Sequence, residues 1–219
     1  MIKGILWDND GVLVDTERLY FQANHEVLLP YQIEMTEADF FNFYLINNCG
    51  AWHLLREQDI SEEEILSIRK KRDDLYIQSL LNSTHLVVPG IESLLKKVNG
   101  RVRMGVVTSS YRDYFNAIHN KLNLMQYFEF AITNEDYKES KPSPEPYLLG
   151  LQKLNIPNDD CLVIEDSPRG LQSALAAGIR CIAIRTELMR DYSFEGAYRI
   201  VESVEELGEE IERLLLPSF

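Results

Sequence analysis

"ILWDNDGVLVDTE", residues 5–17, runs an apolar stretch into Asp8, Asn9, Asp10 and Gly11. Residues Ile2 to Trp7 are nearly all apolar rather than alternating, the pattern of a strand covered on both faces as in a parallel sheet. Strand side chains alternate with period 2. Asp8 and Asp10 therefore project to one side and Asn9 to the other, with the two Cβ atoms roughly 6–7 Å apart. Two carboxylates so close at the end of a buried strand share either a proton or a cation. Gly11 follows where the chain must turn sharply around whatever is held there.

Moving outward, the same short apolar pattern recurs at Val102–Val107, Phe128–Ile132, Cys161–Ile164, Cys181–Ile184 and, more weakly, Tyr198–Val201. Helical stripes separate these runs: Ile91, Leu94, Leu95 and Val98; Tyr114, Phe115, Ile118 and Leu122; Leu171, Leu175 and Ala176; Val204, Leu207, Ile211, Leu214 and Leu215. Strand and helix in alternation predict an α/β fold with a Rossmann-like, doubly wound parallel sheet. Between Asp15 and Ser83 the strand signal disappears. Helical patterns take over at Leu19–Leu29, Thr36–Ile46, Ala51–Gln58 and Ser61–Leu81, the last polar-faced and opened by a capping box from Ser61 to Glu64. "VVPG", residues 87–90, marks the return. The expected organisation is an α/β body of residues 1–15 and 84–219, with an all-helical cap domain of residues 16–83 inserted after the first strand.

Composition narrows the partners. With 219 residues, 45% of them hydrophobic, the chain can bury a sizeable core without staples. A formal net charge of −13 disfavours nucleic acid and anionic membrane, both of which need a basic footprint. No apolar run is long enough for a membrane span or a secretory signal. Three cysteines, Cys49, Cys161 and Cys181, lack metal-type spacing, and a reducing cytoplasm is the expected location.

The ends of the predicted strands carry the chemistry. For the Asp8/Asp10 pair the readings are a solvated acidic turn, a calcium loop or a Mg²⁺ seat. An EF-hand alignment places Leu6 at the first ligand position and follows a strand rather than a helix, which argues against it. "VVTSS" sets Thr108, Ser109 and Ser110 where a helix is about to begin, as an anion site or an ordinary cap. "ESKPSPEPY" holds Lys141 in a proline-rich loop, where its point charge suits a phosphate. "CLVIEDSPRG" ends a buried strand in Glu165 and Asp166, with Ser167 and Pro168 opening a helix.

In that order these segments resemble the haloacid dehalogenase superfamily, in its helical-cap branch of phosphatases and β-phosphoglucomutase-like enzymes. The matching stretches are DNDGVLVDTE (8–17), VVTSS (106–110), KPSPEPY (141–147) and VIEDSPRGLQSALAAGI (163–179). The resemblance implies Asp8 as the nucleophile that becomes an aspartyl phosphate and Asp10 as general acid, then base. It implies Mg²⁺ on Asp8, on the Asp10 backbone carbonyl and on Asp166, with Glu165 assisting directly or through water. Thr108 and the Ser109 backbone N–H are implied to hold phosphoryl oxygens, with Lys141 neutralising Asp8 and the transferring group. An aspartate at the second position separates phosphate-ester chemistry from that of dehalogenases and phosphonate-cleaving members, which lack it. The implied activity is a Mg²⁺-dependent phosphatase acting on a small phosphorylated metabolite, with the chain a monomer or weak dimer.

The competing reading is a sugar-phosphate mutase, whose cap pattern carries a His five residues after the motif's last Asp and an Arg in a Gly-x-x-Arg segment. Tyr20 and His53 stand at those positions here. A non-catalytic metal-binding protein of the same fold is a weaker alternative, because every catalytic position holds a competent residue. Tyr20, Trp52 and His53 are the candidate substrate-lining residues of the cap, with Phe43, Tyr44, Asn47, Asn48 and Arg56 beside them; aromatic residues at helical spacing also suit a plain cap core. By the resemblance the cap moves about hinges near Val14–Thr16 and Thr84–Val88.

Overall fold

Every residue of Gly4–Trp7 is buried, which is why this strand reads as a continuous apolar run. The computed structural model describes residues 1–216. In it β1 (Gly4–Trp7), β2 (Arg103–Val107), β3 (Phe130–Ile132), β4 (Cys161–Glu165), β5 (Arg180–Ile184) and β6 (Arg199–Val201) form one parallel sheet of six strands, in the order β3-β2-β1-β4-β5-β6. The chain builds outward from β1 in one direction, then returns at β4 to build the other. Beyond the carboxyl ends of β1 and β4, where the order reverses, such a sheet leaves its ligand crevice. All six predicted runs become strands, although Ile2–Lys3 and Phe128–Glu129 precede theirs, and β4 extends one residue further to include Glu165.

The chain divides into two compact units, residues 1–15 with 87–219, and residues 16–86; the second crossing lies three residues beyond the 83/84 boundary expected from sequence. The helical unit contains α1 (Glu17–Leu28), α2 (Glu37–Phe40), α3 (Trp52–Arg56) and α4 (Glu62–Asn82), with α2 running on into a π-helical turn, Phe41–Ile46. Ser61 caps α4 by accepting from Glu64 N (3.2 Å), but the predicted box is only half made, because the Glu64 carboxylate accepts from Tyr31 Oη (2.8 Å) instead. A complete box forms at Thr36, which exchanges hydrogen bonds with Asp39 (3.1 and 2.9 Å).

The other unit adds α5 (Ile91–Val98), α6 (Arg112–His119), α7 (Glu145–Leu154), α8 (Pro168–Ala176) and α9 (Val204–Leu215). α7 lies across β1, β2 and β3 and beside α8, which covers β4 and β5; α9 covers β5 and β6, with α5 alongside it. Two predicted stripes need correction. α6 ends before Leu122, and Leu124 is buried in its place. On α8 Leu175 is 41% exposed, while Leu171, Ser173 and Ala174 face inward. Leu175 lies off the buried face, and where that face meets the end of β4 the approach is close: a Cβ on Gly170 would fall 1.8 Å from Glu165 Cδ. Cys161 and Cys181 are buried free thiols, and Cys49 is exposed. No helix among the described residues is long and apolar enough to cross a membrane.

Inside the helical unit, α4 buries Ile65, Ile68, Arg72, Tyr76 and Leu80 on one face. Arg72 is only 6% exposed. Its Nη1 donates to Tyr20 Oη (2.7 Å) and Asn24 Oδ1 (2.9 Å), its Nε donates to Asp73 (2.6 Å), and its guanidinium lies over the Tyr20 and Trp52 rings. Tyr44 Oη donates to the same Asn24 oxygen (2.7 Å) and accepts from Ala51 N (3.2 Å), tying α1, α3 and α4 to the π-helical turn. Arg72→Met keeps the stem and removes the hydrogen-bonding head. It is expected to lower stability by about 1–3 kcal/mol, read as a fall in the urea midpoint; an unchanged midpoint would show that the network contributes nothing net.

Candidate active site

Each predicted catalytic residue follows the carboxyl end of a strand: Asp8 and Asp10 after β1, Thr108, Ser109 and Ser110 after β2, Lys141 in the loop after β3, and Glu165 and Asp166 at the end of β4. β1 lies between β2 and β4, so three of these ends are immediate neighbours. After Asp10 the chain reverses. Gly11 sits at φ +77°, and the Asn9 carbonyl accepts from the N–H groups of Val12, Leu13 and Val14 (3.3, 2.8 and 3.0 Å).

Lys141 is 3% exposed and uses each of its three ammonium protons. Nζ donates to Asp8 Oδ1 (2.8 Å), the Val107 carbonyl (2.9 Å) and Glu165 Oε1 (2.7 Å), and lies 4.7 Å from the Tyr147 ring centroid. Glu165 is fully buried and richly supplied with donors. Tyr147 Oη joins Lys141 on Oε1 (2.7 Å), while Oε2 accepts from Asp166 N (3.1 Å), Ser167 N (3.2 Å) and Ser167 Oγ (3.0 Å). Burial pushes Glu165 up, but the Lys141 charge and these hydrogen bonds outweigh it and hold the carboxyl below its usual range. Asp8 is the weaker acid of the pair. Burial, with Glu165 and Asp10 nearby, pushes it up to about 7 against the pull of Lys141.

One oxygen from each of Asp8, Glu165 and Asp166 lies within 4.8 Å of the others. Such hard oxygen donors suit a small divalent cation, and Asp8 is pushed up to about 7 by burial first and by the Glu165 charge second, an effect that a bound cation would offset. Proximity alone does not make all three ligands, however. The Glu165 oxygens already take five donors, so this residue orients Lys141 and the Asp166 backbone, and Asp8 and Asp166 fit the cation better. Asp166 lies so close to Gly11 that a Cβ there would fall 1.9 Å from Oδ2.

The Asp10 side chain belongs to a second cluster. Its Oδ2 accepts from Ser110 Oγ (2.7 Å), Asn9 Nδ2 (3.2 Å) and Thr108 Oγ1 (3.3 Å). Thr108 Oγ1 in turn accepts from Ser110 N (3.0 Å), and Tyr137 Oη donates to the Thr108 carbonyl (3.0 Å), with the Ser109 hydroxyl buried between these residues in sequence. α6 begins only at Arg112, and the Glu135 carboxylate accepts its N–H (3.0 and 3.1 Å). The three hydroxyl residues therefore precede the helix rather than cap it, the N-cap position being held by Tyr111.

In the helical unit Tyr20 and Trp52 both engage Arg72, which is the plain-core alternative for these aromatics. His53 Nδ1 lies 3.2 Å from the Gly50 carbonyl, with its ring edge-on to Phe43. Arg56 is paired with Glu62, and Asn47 donates to the Asn42 carbonyl (2.9 Å). Sequence reasoning passed over Tyr147, Asn9, His119 and Arg72. Tyr147 and His119 each continue an apolar helical stripe, and Arg72 falls in step with Ile65, Ile68, Tyr76 and Leu80; a polar group on a buried face was the available signal.

His119 ends α6 at 8% exposure, its ring 4.2 Å from that of Phe115 and tilted by 31°. Burial pushes its imidazole down to about 4, with only Asp10 pulling the other way. Between pH 6.5 and 4 the unfolded chain takes up this proton and the native chain does not, so stability falls as acid is added. At pH 4.5 the loss amounts to about 2–3 kcal/mol. His119→Gln keeps an N–H donor without a titrating ring, and its urea midpoint should fall less between pH 7 and 4.5 than that of the parent; parallel losses would rule out this origin of acid sensitivity.

The family model for haloacid dehalogenase-like hydrolases matches residues 5–184. A phosphorylated carbohydrates phosphatase of Thermotoga maritima is 30% identical, with 83% of this chain and 84% of the relative covered. A fructose-1-phosphate phosphatase of Escherichia coli is 27% identical, covering 83% of this chain and 96% of the relative. The crystal structure of a CbbY variant from Rhodobacter sphaeroides in complex with xylulose-(1,5)bisphosphate superposes with a TM-score of 0.82 at 26% identity, covering 95% of this chain and 97% of that one. With the parallel sheet, the helical insert after β1 and the acidic strand ends in place, the chain belongs to the haloacid dehalogenase-like hydrolases, in the helical-cap branch of phosphatases and β-phosphoglucomutase-like enzymes.

Proposed function

We propose that this protein is a Mg²⁺-dependent phosphatase that hydrolyses a small phosphorylated sugar through an aspartyl phosphate on Asp8. The observation that carries this reading is the buried Lys141 ammonium shared between Asp8 and Glu165 at the ends of adjacent strands. Asp8 attacks phosphorus. Lys141, already 2.8 Å from Asp8, holds its carboxylate in place and stabilises negative charge that moves onto the phosphoryl oxygens. Thr108 and Ser109 lie in the adjoining turn as partners for those oxygens. Asp10 gives a proton to the leaving oxygen, then takes one from the water that cleaves the Asp8 phosphate. Asp8 and Asp166, with the Asp10 backbone carbonyl, would hold the metal, which when bound supplies charge neutralisation for the phosphoryl group.

The sugar-phosphate class is suggested by the relatives, which act on phosphorylated carbohydrates and fructose 1-phosphate, and by the solved relative that binds xylulose-1,5-bisphosphate. Hydrolysis is favoured over a mutase because Tyr20 stands where the mutase pattern needs a titrating imidazole, and its hydroxyl is engaged by Arg72.

Phosphate release from a sugar-phosphate panel that includes β-glucose 1-phosphate tests the assignment. Turnover is expected with Mg²⁺ and is expected to fall to background with EDTA or in Asp8→Asn. Isomerised sugar phosphate without phosphate release would instead establish the mutase. Lys141→Met, checked for folding by circular dichroism, is expected to lower kcat by about 10²–10³-fold; a loss below tenfold would remove Lys141 from the reacting centre.

A further inference from the structure

Asn9 stands between the two reactive aspartates, fully buried, with no role in the chemistry described so far. Its side-chain oxygen lies 2.7 Å from His119 Nε2, and its side-chain nitrogen lies 3.2 Å from Asp10 Oδ2. Two independent neighbours agree on this orientation. A flipped amide would turn its carbonyl toward the Asp10 carboxylate, oxygen against oxygen. It would also require His119 Nε2 to accept, moving the ring proton to Nδ1, a buried atom with no hydrogen-bond partner. His119 therefore donates from Nε2, Asn9 accepts at Oδ1, and Asn9 donates from Nδ2 to Asp10. Thr108 and Ser110 also meet Asp10 Oδ2, but a hydroxyl can rotate to donate or accept. The amide of Asn9 cannot, because His119 locks it.

We propose that Asn9 and His119 form a buried positioning pair for the Asp10 carboxylate, and that this pair governs how well Asp10 delivers a proton to the leaving oxygen. The pair anchors Oδ2 with a donor that cannot reverse, which leaves Oδ1 as the oxygen that carries the transferable proton. In the step concerned, the bond from Asp8 to phosphorus forms, the bond from phosphorus to the leaving oxygen breaks, and the proton passes from Asp10 Oδ1 to that oxygen. This inference rests on Asp10 acting as the general acid.

The test uses leaving groups that differ in their need for the proton. With Mg²⁺ present, kcat/KM is measured for an alkyl phosphate, whose alkoxide must be protonated, and for p-nitrophenyl phosphate, whose phenolate leaves without help. The ratio of the two is independent of the fraction of active enzyme, so a partly folded variant still reports. Asn9→Leu and His119→Phe are each expected to lower the alkyl-to-nitrophenyl ratio about tenfold or more, the effect of losing one charge-assisted hydrogen bond. His119→Gln, which can still donate to Asn9, is expected to restore most of it. Asn9→Ala and His119→Leu serve if the first pair fails to fold. An equal fall on both substrates, or none, would make the pair structural and overturn the proposal. Asp10→Asn keeps the two failures apart: if it too spares the ratio, the general-acid reading falls, whereas a selective loss there without one in the pair variants overturns the positioning pair alone.

Discussion

A buried ammonium between two buried carboxylates is the interaction on which the rest of this site depends. Lys141 spends its three protons on Asp8, Glu165 and the Val107 carbonyl, and so joins the ends of β1, β4 and β2 through one charge. Removing one partner of such a set would leave uncompensated charge in a medium that solvates it poorly. The neighbouring packing serves the same end. Tyr147 reaches Glu165 from α7, and Gly170 in α8 lacks the Cβ that would displace the carboxylate.

The carboxylates of the site consequently differ in what they can do. Glu165 is saturated with donors and held ionised, so it acts by orienting its neighbours. Asp8 is pushed up to about 7, chiefly by burial, and is the more readily protonated of the two. Asp10 Oδ2 lies among the hydroxyls of Thr108 and Ser110 and the amide of Asn9. One strand end therefore carries two aspartates, one residue apart, with different hydrogen-bond partners, and unlike surroundings are the condition under which like groups take unlike roles.

The helical unit meets a buried cation in another way. Arg72 is surrounded by Tyr20, Trp52, Asn24 and the half-exposed Asp73, so aromatic faces and a neutral amide supply most of its contacts. The weakly hydrated, planar guanidinium accepts that arrangement, whereas the compact ammonium of Lys141 has two carboxylates and a carbonyl.

The sequence by itself determined the order of strands and helices, the insert after the first strand, and which residues stand at strand ends. Those features come from short-range periodicity, and β1, β2, β4 and β5 are legible because their buried residues are contiguous. It misjudged the stripe on α8, since Leu175 is apolar but lies off the face that Leu171, Ser173 and Ala174 bury. Only the tertiary structure decided which side chains meet. Lys141 lies 133 residues from Asp8, His119 lies 110 from Asn9, and Ser110 lies 100 from Asp10. Pairings across such separations are set by how the strands are ordered in the sheet and by which atoms burial leaves in need of a partner, and no local pattern of residues records either.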